Sequence, residues 1–173
     1  MNARTKMRIS ISGIILILGI IIIIYYVFPI KHKMDEVIPA VVIMNDSNTV
    51  KCTNLIVNGT WTSRKSTYIV ETYIGSIDIE ILKYYTDMNI WNSNLKLTFD
   101  ESKQIFSGGI FYNGNTGVEA SGWLYTNRNH EKYVIIISPK ENASNNWIVI
   151  APAHSIDEAY MICDEMNLKI PLN

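Results

Sequence analysis

The residues best suited to acid–base chemistry fall together near the C-terminus, in the run Ala153-His154-Ser155-Ile156-Asp157-Glu158-Ala159-Tyr160. His154, Asp157, Glu158 and Tyr160 supply an imidazole, two carboxylates and a phenol, from which a general acid–base pair is built when a pocket holds them. A helix start accounts for the same residues without catalysis. Asp157 and Glu158 complement the positive end of a helix dipole, and Ser155 with Glu158 three residues later has the capping-box spacing. The other histidines offer less. His130 beside Glu131 lies in Asn127-Arg128-Asn129-His130-Glu131-Lys132, which reads as a solvated hairpin tip. His32, between Lys31 and Lys33, reads as positive charge beside lipid headgroups. No two histidines have metal-ligand spacing, so neither a metal nor any other cofactor is expected.

Two pairs of acids, Asp78 with Glu80 and Glu119 with Asp100, have the residue types used in glycoside hydrolysis, although charges alternating along a strand usually face water. The glycines of Ser107-Gly108-Gly109 and Asn113-Gly114-Asn115-Thr116-Gly117 lack the lysine and the strand-to-helix setting of a phosphate loop, and read instead as a strand kink and a hairpin turn. Asn45, Asn58 and Asn142 begin glycosylation sequons, which arise easily in an Asn-rich chain. The two cysteines, Cys52 and Cys163, are expected to form a disulfide in an oxidising compartment, closing a loop of about 110 residues. Two free thiols in apolar surroundings are the alternative.

Aromatic side chains are the feature that exceeds what a core needs. A small sheet cannot bury all of Tyr84, Tyr85, Trp91, Phe111, Tyr112, Trp123, Tyr125 and Trp147, and exposed Tyr and Trp are favoured binding anchors. A partner-binding face is therefore expected from Trp91, Phe111, Tyr112, Trp123 and Tyr125.

These residues need elements to position them. From Ile9 to Ile30 the chain carries no charge, and at about 1.5 Å per residue this run makes a helix of about 33 Å, enough for a hydrocarbon core of about 30 Å. Tyr25, Tyr26 and Phe28 suit the headgroup level at its far end, and Pro29 is a natural stop. A cleaved secretory signal has a shorter apolar region and a small-x-small cleavage site, neither of which is present. The chain thus divides into a cytoplasmic tail (1–8), a transmembrane anchor in the lipid bilayer (9–30), a juxtamembrane stalk (31–48) and an extracytoplasmic β-rich domain (49–173). Arg4, Lys6 and Arg8 before the span, against Lys31 and Lys33 after it, place that domain in the periplasm or outside the cell.

Period-two alternation marks strands around residues 68–74, 77–81 and 95–99, and Asn58-Gly59 suggests a hairpin turn. Residues 105–112 and 118–125 flank the Gly-Asn turn, and further strands follow at 132–138 and 146–151. Ile156, Ala159, Tyr160, Ile162, Cys163 and Met166 then share one helical face. The expected fold is an antiparallel sheet or open barrel of seven or eight strands with one C-terminal helix, behind a single N-terminal spanning helix. A net charge of −1 removes the electrostatic pull that supports nucleic-acid binding. The functional expectation is an anchored envelope binding module, such as an immunity- or inhibitor-type protein or an accessory subunit, with a protein partner. The alternatives are an envelope hydrolase acting on wall or glycan and a carrier of small apolar ligands.

Overall fold

The computed structural model describes residues 3–44, 49–63, 70–81, 91–114, 117–139 and 146–169. A helix, α1 (Ala3–Val27), leads through Phe28 and Pro29 into eight strands. These are β1 (Ile30–Met44), β2 (Thr49–Ser63), β3 (Val70–Ile79), β4 (Trp91–Asp100), β5 (Ile105–Gly114), β6 (Gly117–Asn127), β7 (Tyr133–Pro139) and β8 (Trp147–Ala151). A second helix, α2 (Ile156–Glu165), follows. Each strand pairs antiparallel with the next, and β1 pairs with β8 from Val41 to Met44, so the sheet is a closed barrel rather than an open one. Closure removes most of the sheet edge that an open meander would expose.

The interior follows from alternation. Leu55, Val57 and Trp61 of β2, Tyr73, Ile77 and Ile79 of β3, Leu95 and Leu97 of β4, and Ile135 and Ile137 of β7 all point inward and are buried. An eight-stranded barrel is just wide enough to be filled by such side chains. On the outer side, α2 lays Ala159, Ile162, Cys163 and Met166 against Val41, Ile43, Ile105, Val134, Ile148 and Ile150. Lys132, in the turn after β6, pairs with Glu165 near the end of α2 and pins the helix to the barrel wall.

Three expectations are corrected. Residues 31–44 are not a stalk: β1 pairs with β2 without a break from Ile30↔Ser63 to Met44↔Thr49. Asn58-Gly59 is not a turn but lies mid-strand, where Gly59 faces Gly75. A Cβ at Gly59 would fall 2.6 Å from the Tyr73 ring, so these glycines make room for a buried tyrosine. The cysteines are free. Cys52 donates its thiol to the carbonyl of His154 at 3.4 Å. Cys163 is buried in the apolar cluster between α2 and the barrel wall.

Among the described residues, whose side chains in α1 begin only at Gly13, no helical stretch is by itself long and apolar enough to cross a membrane. The side chains of Ile14 to Ile24 are about half exposed or more.

Candidate functional site

The outer surface of β5, β6 and β7 carries the candidate site. Directly opposed residues of antiparallel strands share a face. The register Gly109↔Trp123↔Ile136 and Ser107↔Tyr125↔Val134 therefore puts Trp123, Tyr125 and Ile136 on the outside, with Phe111 two residues beyond Gly109 on the same side. Phe111 is 62 % exposed and Trp123 53 % exposed. Gly109 opens a flat place beside Trp123: a Cβ there would lie 3.9 Å from the Phe111 ring, so that ring leans over the glycine. At the lower border, Lys103, Tyr125, Ile136, Asn167, Leu168 and Lys169 line a depression of about 330 Å³. The result is a strip of aromatic and aliphatic surface on rigid strands, bordered by two lysines. Large rings held in place lose little freedom on contact, which is what makes Trp and Tyr effective anchors.

Of the five residues singled out from the sequence, Phe111, Trp123 and Tyr125 meet on this face. For Trp91 and Tyr112 only the backbone is described, opposite Ile77 and Ala120 respectively, and a bulge follows Tyr112. Trp91 lies outside the paired segment of β4 and β5, which runs only from Thr98↔Ser107 to Asp100↔Ile105, so pairing does not carry it to the Phe111–Trp123 surface.

Of the acid–base candidates, Glu158 and the His154 backbone are engaged in structural contacts. Ser155 caps α2 by accepting from the Glu158 backbone N–H at 3.3 Å, and Glu158 reaches back to the N–H of His154 at 2.7 Å rather than to that of Ser155. A groove of about 470 Å³ gathers Cys52, Asn54, Glu80 and His154, where Glu80 accepts from the Asn54 amide at 2.8 Å. Its thiol contact is to a backbone carbonyl, not to a base. Asp100 accepts from the Ser102 hydroxyl and from the N–H groups of Ser102 and Lys103, which hold its carboxyl below the usual value. Glu119 lies in β6, and only its backbone is described. Among the described residues no group of three His, Cys, Asp or Glu side chains could hold a metal ion.

Sequence reasoning missed His130. The residue adopts φ 57° in the turn between β6 and β7 and folds back into the end of the barrel. Its ring stacks on Trp61 with centroids 4.0 Å apart and planes 6° from parallel, and its Nε2 lies 2.7 Å from the Glu71 carboxylate. Tyr133 donates its hydroxyl to the His130 carbonyl at 2.5 Å. Burial pushes the Tyr133 hydroxyl up, with the nearby Glu36 charge adding to it, and burial raises Tyr73 to about 12. Nδ1 of His130 and Nε1 of Trp61 have no hydrogen-bond partner among the described residues. A polar turn gave no sign of this inward fold. The available hint was Trp61, an inward aromatic that needs something flat to cover it.

No family model, no curated protein and no solved structure matches this chain.

Proposed function

We propose that the protein is a membrane-tethered binding module of the cell envelope, which presents the Phe111–Trp123–Tyr125 surface to a protein partner. An immunity- or inhibitor-type protein and an accessory subunit of an envelope complex both fit this description. The observation that carries the reading is the pair of large rings left more than half exposed on strands whose Ile105, Phe106, Ile110 and Leu124 are buried. Contiguous exposed apolar surface of this kind marks interaction sites. A carrier of apolar ligands needs room inside the barrel, whereas the described interior is taken up by Trp61, Tyr73, Tyr133 and their neighbours.

The tether rests on the uncharged run from Ile9 to Ile30 and on the outward isoleucines of α1. A helix of 25 residues is about 37 Å long, against a hydrocarbon core of about 30 Å.

Crosslinking in intact membranes followed by capture of the full-length chain tests the partner face. Trp123→Ser combined with Phe111→Ser is expected to abolish the crosslinked adduct while the far-ultraviolet circular dichroism and the urea unfolding midpoint stay unchanged; an adduct of undiminished yield would sink the assignment. The tether has its own test. Cys52 is exposed and free, so a membrane-impermeant maleimide added to intact cells labels it if the barrel lies outside. Labelling that required cell lysis would place the barrel inside instead.

A further inference from the structure

Closure of the barrel leaves part of β1 unused. β2 pairs with β1 along its whole length, but β8 takes only Val41 to Met44, and the N–H of Ala153 takes the Pro39 carbonyl at 2.9 Å. From Ile30 to Ile38 the side of β1 away from β2 has no strand beside it among the described residues. The side chains of residues 30–33 and 35–37 are exposed there.

Which backbone groups this edge offers follows from parity. Along a strand, successive residues turn their N–H and C=O to alternate sides. Pro39 turns its carbonyl toward Ala153, and the β1–β2 register runs without a bulge. Lys31, Lys33, Asp35 and Val37 therefore direct both backbone groups to the open edge. Charged residues on an edge ordinarily discourage pairing with other strands. Here the order of the charges matters.

We infer that the open edge of β1 pairs antiparallel with the same edge of a second copy of this chain, about a two-fold axis at Met34. The sequence is complementary to itself around that point. Lys33 of each copy faces Asp35 of the other, His32 faces Glu36, Lys31 faces Val37 and Ile30 faces Ile38. Opposite charges directly across a ladder attract and like charges repel. Moving the axis to Lys33 sets Lys33 against itself, and moving it to Asp35 sets Asp35 against itself. The Met34 register also gives correct hydrogen bonding: Lys33 with Asp35 and Lys31 with Val37 become the bonded pairs, and Met34 with Met34 a non-bonded one. Prolines delimit the segment, since Pro29 falls opposite Pro39 and neither can donate to a ladder. The same charges that turn away a foreign strand select the chain's own copy. This interface is separate from the aromatic face and stands whether or not that face binds a partner.

The test is sedimentation of the full-length chain in mild detergent, with near-ultraviolet circular dichroism to follow the fold. Wild type is expected to dimerise. Lys33→Asp and Asp35→Lys alone each set like charges opposite one another and weaken the dimer by about tenfold or more. Mixing these two variants restores association as a heterodimer, because every aspartate then faces a lysine. On a Cys52→Ser background, mixed His32→Cys and Glu36→Cys chains form an intermolecular disulfide under mild oxidation. A monomeric wild type overturns the inference. So does a dimer indifferent to both charge reversals, which would place the contact elsewhere, or a mixture that fails to reassociate while both variants keep their fold.

Discussion

The outer wall of the barrel has two apolar faces, and they meet different fates. On one side Val41, Ile43, Val134, Ile148 and Ile150 lie under α2 and are buried. Beside them, beyond Tyr125, which packs against that cluster, Phe111 and Trp123 stand in the open. The covered face is aliphatic and β-branched, the composition of a core that stabilises by area removed from water. The open face is aromatic, a composition enriched where proteins meet. Hydrophobicity alone does not separate the two roles; the choice of side chain and the presence of a covering element do.

The inner surface of the same wall sets the upper limit of expected effects. His130→Ala removes the stack on Trp61 and leaves the Glu71 carboxylate, which the ring contacts at 2.7 Å, without its partner in a largely buried place. A loss of about 3–5 kcal/mol in urea unfolding is expected. Next comes the covered face: Ile148→Ala should cost about 2–5 kcal/mol, because α2 cannot collapse into the space left. If that variant unfolds like wild type, α2 does not cover Ile148.

The cap of α2 sharpens the same point at smaller scale. Ser155→Ala removes the acceptor for the Glu158 N–H and should cost about 1 kcal/mol, with faster amide exchange confined to α2. Burial also pushes the Cys163 thiol up to about 11 from 9.0. The raised value means the folded state favours the neutral thiol, so this contribution is complete below pH 9 and is lost as the pH climbs through about 11. Stability measured between those values should fall in wild type and stay flatter in Cys163→Ala. The open face closes the series. Trp123→Ser should change stability by no more than about 0.5 kcal/mol. A cost as large as that of Ile148→Ala would show that Trp123 belongs to the core and not to a binding surface.

Much of the fold was legible from period two. The alternation at Ile77, Ile79, Leu95 and Leu97 marks β3 and β4, and all four side chains do point inward. β5 and β6 pair on either side of the Gly-Asn run, with Gly114 opposite Gly117, and α2 begins at the Ser155 cap. Two readings failed for one reason, that local signals report local preferences. Asn58-Gly59 has turn chemistry, yet the glycine serves a close approach to Tyr73 from the next strand. Lys31-His32-Lys33 and Asp35-Glu36 look like a solvated linker, yet β2 gives that stretch a full-length partner. Of the candidate surface, Phe111, Trp123 and Tyr125 were singled out because a small sheet cannot bury every aromatic, and the register sets all three on one face. His130 was not, since nothing in a polar turn announces that its ring folds inward onto Trp61.

The pairing of β1 with β8 has a consequence for how the chain comes together. Val41 to Met44 must wait for Trp147 to Ile150, a separation of over 100 residues, before the cylinder can shut. Pairing across such a distance is slow, since the loop must close before any contact rewards it. During synthesis every earlier hairpin can form while the first strand still has an open flank along its whole length. That flank is apolar where β8 will eventually dock, so the growing chain is most prone to faulty association until its last strand emerges.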